Sequence, residues 1–83
     1  MGSDVLPNSG RPWTEAEDRF LIFYGRCLNL AFGGEPKGYE YVAWHDLQRT
    51  PEEAIARVKL LRLEAPRLVA EIEAEADKEP EDV

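Results

Sequence analysis

The chain has 83 residues, of which 43% are hydrophobic, and a net charge of −7. This is enough for one small domain around a single core. With one cysteine, Cys27, and one histidine, the composition excludes an internal disulfide framework and disfavours a structural zinc site. No apolar run approaches the length of a membrane span, and the N-terminus lacks the pattern of a signal segment. We therefore expect a soluble intracellular protein without a metal or other cofactor.

The negative charge is concentrated at the C-terminus. Residues 64–83 carry a net charge of −6 and residues 1–63 only −1, while residues 49–63 carry +2. An acidic chain disfavours avid binding of nucleic acids, but a separable acidic tail weakens that argument.

The first predicted elements are a flexible leader and a long helix. Residues 1–12 contain Gly, Ser, Asn and Pro with little apolar pattern, which is typical of a mobile segment. Thr14 and Glu17 form a capping box that predicts a helix start, and the helix is expected to extend to Phe32. Apolar residues recur along it at helical spacing: Phe20, Phe23, Tyr24, Cys27, Leu28, Leu30 and Ala31.

Three more helices are predicted after a glycine-rich loop at residues 33–38. The second covers residues 39–47. The third begins with Thr50 as N-cap, Pro51 at the first helical position and Glu53 closing another capping box. Its apolar stripe continues across Pro66, but a proline breaks or kinks a helix interior. We expect the third helix to end near residue 64 and a fourth to span residues 66–77; one kinked helix is the alternative. Residues 79–83 are expected to be a disordered acidic tail.

Three ordered motifs resemble the Myb/SANT family. The first is Trp13-Thr14-x-x-Glu17-Asp18-x-x-Leu21-Ile22; the second is Tyr39 followed by Val42-Ala43 and Arg49-Thr50; the third is Arg57-Val58. The resemblance covers residues 13–63. It implies an all-α, three-helix helix-turn-helix domain at residues 13–64, to which residues 65–78 add a C-terminal helix. Tyr39 and Val58 stand where the family usually has aromatic core residues, and the interval between Trp13 and Tyr39 is longer than usual.

The resemblance implies that the third helix faces the ligand. In DNA-binding members the residues that read bases lie near the start of this helix, and those positions are Glu52, Glu53 and Ala56 here. Carboxylates at the leading edge would meet the negatively charged groove, whereas base readout commonly uses Arg, Lys, Asn or Gln. SANT-type members contact histone tails and other proteins instead. The predicted protein-binding residues are Glu52, Glu53, Ala56, Lys59 and Trp44.

The alternative is weak or auxiliary DNA binding through the basic residues Arg49, Arg57, Lys59 and Arg62. Such binding would depend strongly on salt and would not require sequence readout. An ordinary solvated face with a Glu53–Arg57 pair is the simpler explanation of these cations.

Other side chains are assigned mainly to the core: Trp13, Phe20, Leu21, Tyr24, Tyr39, Val42, Val58 and Leu61. Trp44 is expected to pack under the fourth helix or to be an exposed binding anchor. The C-terminal segment is expected to fold back on the domain through Leu68, Val69 and Ile72, and its acidic face could also meet basic tails.

His45 lies beside Asp46 without an organised nucleophile, so no catalytic residue is assigned. We therefore expect a monomeric, non-catalytic interaction module of a nuclear, chromatin-associated or transcription-regulatory protein. Its expected partner is a protein, with basic histone tails as candidates.

Overall fold

The computed structural model describes residues 6–78 of the chain. Over this range it consists of four helices: α1 (Glu15–Phe32), α2 (Lys37–Val42), α3 (Pro51–Glu64) and α4 (Pro66–Asp77). A π-helical turn, Ala43–Leu47, directly extends α2, and the described range contains no strand. The expected all-helical fold is therefore confirmed. None of the described helices is long and apolar enough to cross a membrane.

Both predicted capping boxes are present. The Thr14 hydroxyl accepts a hydrogen bond from the Glu17 backbone N–H at 3.1 Å, and the Glu17 carboxylate accepts one from the Thr14 N–H at 3.1 Å. At α3, Thr50 and Glu53 exchange the same pair of bonds at 3.2 and 2.9 Å. Each box satisfies backbone donors that a helix start leaves without partners. Local sequence therefore determines where the two long helices begin.

The connection from α1 to α2 brings the two helices unusually close. Gly33 ends α1 in the left-handed conformation, with φ of 96°. The buried Asn29 side chain accepts a hydrogen bond from the Gly38 N–H at 2.6 Å. A Cβ at Gly38 would meet the Asn29 nitrogen and the Gly25 carbonyl oxygen. Helix α2 accordingly begins at Lys37, before the predicted start, because Gly38 is a packing residue rather than part of the loop.

The turn between α2 and α3 depends on an unusual backbone conformation. After the π-helical turn, Gln48 adopts a left-handed conformation with φ of 59°, which is uncommon for a residue other than Gly, Asn or Asp. The Arg49 N–H then donates to the Ala43 carbonyl at 2.9 Å. This turn redirects the chain into Thr50 and α3.

The core lies between the four helices and contains most of the predicted residues. The assignment of Tyr24 to the core was wrong, because its side chain remains 47% exposed and packs against Phe20 and Phe23 at the surface. Trp13 and Phe20 are half-buried at the margin of the core. The buried hydrophobic residues of the central cluster are Leu21, Ile22, Tyr39, Val42, Ala43, Leu47, Ala54, Val58, Leu61, Val69 and Ile72.

The C-terminal segment folds back as a separate helix, as expected. Ala65 interrupts the helical backbone, with φ of −139°, and Pro66 begins α4. Val69, Ile72 and Ala76 of α4 are buried. The Arg26 guanidinium of α1 donates to both oxygens of Asp77, at 2.8 and 3.0 Å. Packing on α1 and α3 therefore makes α4 an integral part of the domain.

The segment that precedes α1 differs from the predicted flexible leader. Asn8 donates hydrogen bonds to the carbonyls of Gln48 and Leu47, at 3.1 and 2.8 Å, and the Gly10 N–H donates to Glu53 at 2.7 Å. Residues 6–12 are therefore attached to the start of α3 and do not form a separate leader. Residues 1–5 of the predicted leader and the predicted disordered tail at 79–83 lie outside the described residues.

Candidate protein-binding face of helix α3

Helix α3 presents apolar side chains on two opposite sides. Ala54, Val58 and Leu61 are buried against the core. On the opposite side, five exposed residues fall within about one third of the helix circumference, given its 3.6-residue period. We call them the α3 outer face: Glu52, Ala56, Lys59, Leu60 and Leu63. Three of the five were predicted as protein-binding residues.

Leu60 and Leu63 are exposed residues of this face that were not among the predicted binding residues. Their side chains are 38% and 80% exposed. Together with Ala56 they follow steps of four and three residues, so they line one side of α3. The signal was present in the sequence, because Leu60, Leu61 and Leu63 cannot all face one core from a single helix. A shallow groove of about 240 Å³ beside this stripe is lined by Trp13, Glu53, Ala56, Arg57 and Leu60.

Glu53 performs a structural role within the domain. Its carboxylate accepts hydrogen bonds from the backbone N–H groups of Gly10 and Thr50, at 2.7 and 2.9 Å. Burial by itself would raise its pKa, but the hydrogen bonds from Gly10, Thr50 and Ser9 lower the pKa of Glu53 to about 2. The carboxylate is therefore already committed to the start of α3. Its predicted neighbours Glu52 and Ala56 remain exposed.

Arg49 cannot contact DNA in this structure, which corrects the alternative prediction for this residue. Its side chain is only 1% exposed. The guanidinium donates to the Glu17 carboxylate at 3.1 and 3.0 Å, to the Arg11 carbonyl at 2.8 Å and to the Pro12 carbonyl at 3.1 Å. It lowers the pKa of Glu17 through these hydrogen bonds. Arg49 thus connects the segment just before α1 with the segment just before α3.

The other two predicted arginines are held in ion pairs. Arg57 donates to both oxygens of Asp18, at 2.8 and 2.9 Å. The expected pair between Glu53 and Arg57 is therefore not formed. The nearest cation to Glu53 is Arg49, at 3.7 Å. Arg62 donates to Glu35 at 3.0 Å and to the Tyr39 hydroxyl at 3.2 Å. Of the four predicted DNA-binding residues, Lys59 alone forms no ion pair within residues 6–78.

Trp44 is exposed rather than packed under α4. Its side chain is 57% exposed. Its ring lies 6.2 Å from that of His45, which stacks on Tyr41 at 4.9 Å, and Tyr41 contacts Phe32 edge-on at 5.7 Å. The expected packing under α4 was wrong because the π-helical turn directs Trp44 outward. The aromatic residues in this chain of contacts lie on α1, α2 and the π-helical turn, and none lies on α3. They therefore do not connect Trp44 with the α3 outer face.

Two further features of the described residues bear on metal binding and on catalysis. Within residues 6–78, no group of three or more His, Cys, Asp or Glu side chains could hold a metal ion. His45 Nδ1 lies 3.0 Å from Asp46 Oδ1, and both side chains are on the surface. No enclosed cavity adjoins this pair among the described pockets.

Comparison with known proteins gives no match: no family model, no curated protein and no solved structure matches this chain.

Proposed function

We propose that this chain is a Myb/SANT-like helix-turn-helix module that binds a protein partner, without catalysis, through the α3 outer face. The parent is proposed to be a nuclear, chromatin-associated or transcription-regulatory protein. The observation that carries the proposal is the exposed stripe of Ala56, Leu60 and Leu63 on a helix whose other side already fills the core.

The apolar stripe supports a protein ligand. Full burial of a leucine side chain is worth roughly 1.5–3 kcal/mol, and a few well-buried anchors dominate the affinity of most interfaces. Leu63 is 80% exposed, so its burial against a partner would supply most of that free energy. The shallow groove beside Leu60, which also touches the Trp13 ring, would receive an apolar side chain of the partner.

The charges around the stripe also favour protein over DNA. Glu52 lies on the α3 outer face itself, and Glu64 is exposed one turn beyond Leu60. Lys59 is the only cation on that face. Phosphate contacts require several available cations, and Arg49, Arg57 and Arg62 are committed to partners within the domain. A partner segment that combines apolar and basic side chains fits best, and basic histone tails are the candidates.

The experiment is a titration of the isotope-labelled chain with a basic histone-tail peptide, followed by amide chemical shifts. The expected result is a set of shifts centred on Ala56, Leu60 and Leu63. Leu63→Ser should weaken binding by about tenfold, the equivalent of about 1.4 kcal/mol.

Leu30→Ser is the matched control, because Leu30 is a similarly exposed leucine, at 71%, on a different helix. Its affinity should stay within about twofold of the parent chain. Equal affinities of the two variants, or shifts centred away from α3, would contradict the proposal.

A further inference from the structure

A second surface, distinct from the α3 outer face, lies between α1 and α4. It is an apolar groove of about 450 Å³. Phe20, Phe23 and Tyr24 of α1 form one side, Ile72 of α4 contributes the other, and Arg19 and Glu75 flank it. The centroid of the Tyr24 ring lies 4.6 Å from that of Phe20 and 4.9 Å from that of Phe23. Aromatic side chains supply large contact areas and are enriched at protein interfaces.

The groove continues along α4 and acquires an acidic edge. An adjoining depression of about 460 Å³ shares Arg19, Ile72 and Glu75 with the first and adds Glu71 and Ala74. Glu71 and Glu75 are one helical turn apart and both exposed. Neither forms an ion pair within residues 6–78, so their charges are available to a ligand.

Two neighbouring arginines have carboxylate partners inside the domain. Arg26 pairs with Asp77 at 2.8 Å and with Glu73 at 3.9 Å. Arg19, the cation at the groove, pairs with Glu15 at 3.2 Å. Within residues 6–78, Glu71 and Glu75 are therefore the carboxylates of the groove without an ion-pair partner, and Arg19 is the cation beside them.

We propose that the α1–α4 groove docks a basic amphipathic helix of a partner protein. Apolar side chains at helical spacing would pack on Phe20, Tyr24 and Ile72, as in helix-in-groove recognition. Lys or Arg side chains on the flank of that helix would meet Glu71 and Glu75. The apolar rings select the helix face, and the acidic edge selects its charge.

The test uses a synthetic peptide of roughly four helical turns, built from leucines at helical spacing on one face and lysines elsewhere. Titrated into the isotope-labelled full chain, it should shift the amides of Phe20, Tyr24, Ile72 and Glu75. A second peptide with every lysine replaced by glutamate should bind at least about tenfold more weakly.

Two pairs of substitutions make the test specific. The double variant Glu71→Gln/Glu75→Gln should weaken the lysine peptide by about fivefold or more and reduce the salt dependence of binding. Glu40→Gln/Asp46→Asn makes the same change of charge on α2 and the π-helical turn, at positions that belong to neither surface, and should leave the affinity unchanged. Tyr24→Ser removes one ring from the surface and should also weaken binding.

The proposal is overturned if the lysine peptide does not bind, if both peptides bind equally, or if the two double variants behave alike. Shifts centred on Leu60 and Leu63 would also overturn it, because they would assign the peptide to the α3 outer face. Failure of the histone-tail titration leaves this proposal unaffected, since the two surfaces share no residue.

Discussion

The guanidinium carbon of Arg49 lies 4.1 Å from the centre of the Trp13 ring. This contact joins two motifs that are 36 positions apart in the sequence. The same arginine binds Glu17, the residue that closes the first capping box. The most conspicuous residues of the sequence are therefore in contact with one another. They hold the starts of α1 and α3 together.

Arg49 should be among the most sensitive positions of the domain. Arg49→Ala is expected to lower the free energy of unfolding by about 3–5 kcal/mol, because it removes the guanidinium donors to the Glu17 carboxylate and to two backbone carbonyls. Arg49→Lys should recover only part of this loss, since a lysine cannot reproduce the planar fork. Urea denaturation measures both. Arg19→Ala, at an exposed pair one helical turn apart, should cost less than about 0.5 kcal/mol. An Arg49→Ala loss as small as that control would refute the structural role.

Glu53 predicts a specific acid sensitivity. Its pKa is about 2 in the folded chain, against an ordinary value of 4.5. A carboxylate with a lowered pKa contributes stability that is fully present above about pH 4.5 and is lost as the pH falls towards 2. Glu17, whose pKa Arg49 lowers, acts in the same direction.

The Glu53→Gln variant tests this contribution. At pH 7 it should be less stable by about 1–3 kcal/mol, and its stability should fall less steeply between pH 5 and pH 2. Glu52→Gln is the neighbouring control on the solvent side, expected within about 0.5 kcal/mol of the parent chain. Thermal unfolding at a series of pH values supplies the measurement; parallel curves for parent and Glu53→Gln would refute the assignment.

Two glycines should separate steric conflict from backbone strain. A Cβ at Gly38 meets backbone atoms of α1, whereas a Cβ at Gly33 meets nothing within 4 Å but sits at a φ of +96°. Gly38→Ala is therefore expected to cost about 3 kcal/mol or more, because α1 and α2 must separate. Gly33→Ala should cost about 1–2 kcal/mol from the left-handed backbone alone. Denaturation midpoints with equal losses would contradict the close approach of α1 and α2.

The fourth helix should be required for a cooperative fold. Removing residues 66–83 deletes the buried side chains Val69, Ile72 and Ala76 and exposes the surfaces of α1 and α3 beneath them. A marked fall in the thermal midpoint, with loss of cooperativity, is expected for so small a core. Removing residues 79–83 alone serves as the control, and the contribution of α4 is the difference between the two midpoints. If the two midpoints were equal, the packing of α4 would be refuted.

Local patterns predicted the elements that depend on local chemistry. The capping boxes at Thr14 and Thr50 and the break before Pro66 involve residues at most four positions apart, and all three are present. The burial of Arg49 could not be predicted in this way, because its partners at Arg11, Pro12 and Glu17 are 32 to 38 positions away. The outward direction of Trp44 depends on the π-helical turn, for which the sequence carries no glycine or proline signal.

The candidate site was predicted only where its residues follow from the local helix pattern. Ala56 and Lys59 are exposed on α3 as expected, because their positions follow from the helix period once Thr50 is its N-cap. Leu60 and Leu63 were missed because a leucine on a helix is ordinarily a core residue. The local pattern predicts a binding role for Glu53, but its bond to Gly10 spans 43 positions and depends on the packing of residues 6–12 against the start of α3.

The α3 outer face is proposed to bind protein rather than DNA. The most direct measurement is a pair of titrations of the isotope-labelled chain, one with duplex DNA and one with a basic histone-tail peptide, each at low and moderate salt. We predict peptide-induced shifts of Ala56, Lys59, Leu60 and Leu63, and DNA-induced shifts that are weak and vanish at moderate salt. Shifts localised on α3 with duplex DNA, at micromolar affinity and persisting at moderate salt, would contradict protein binding by this face.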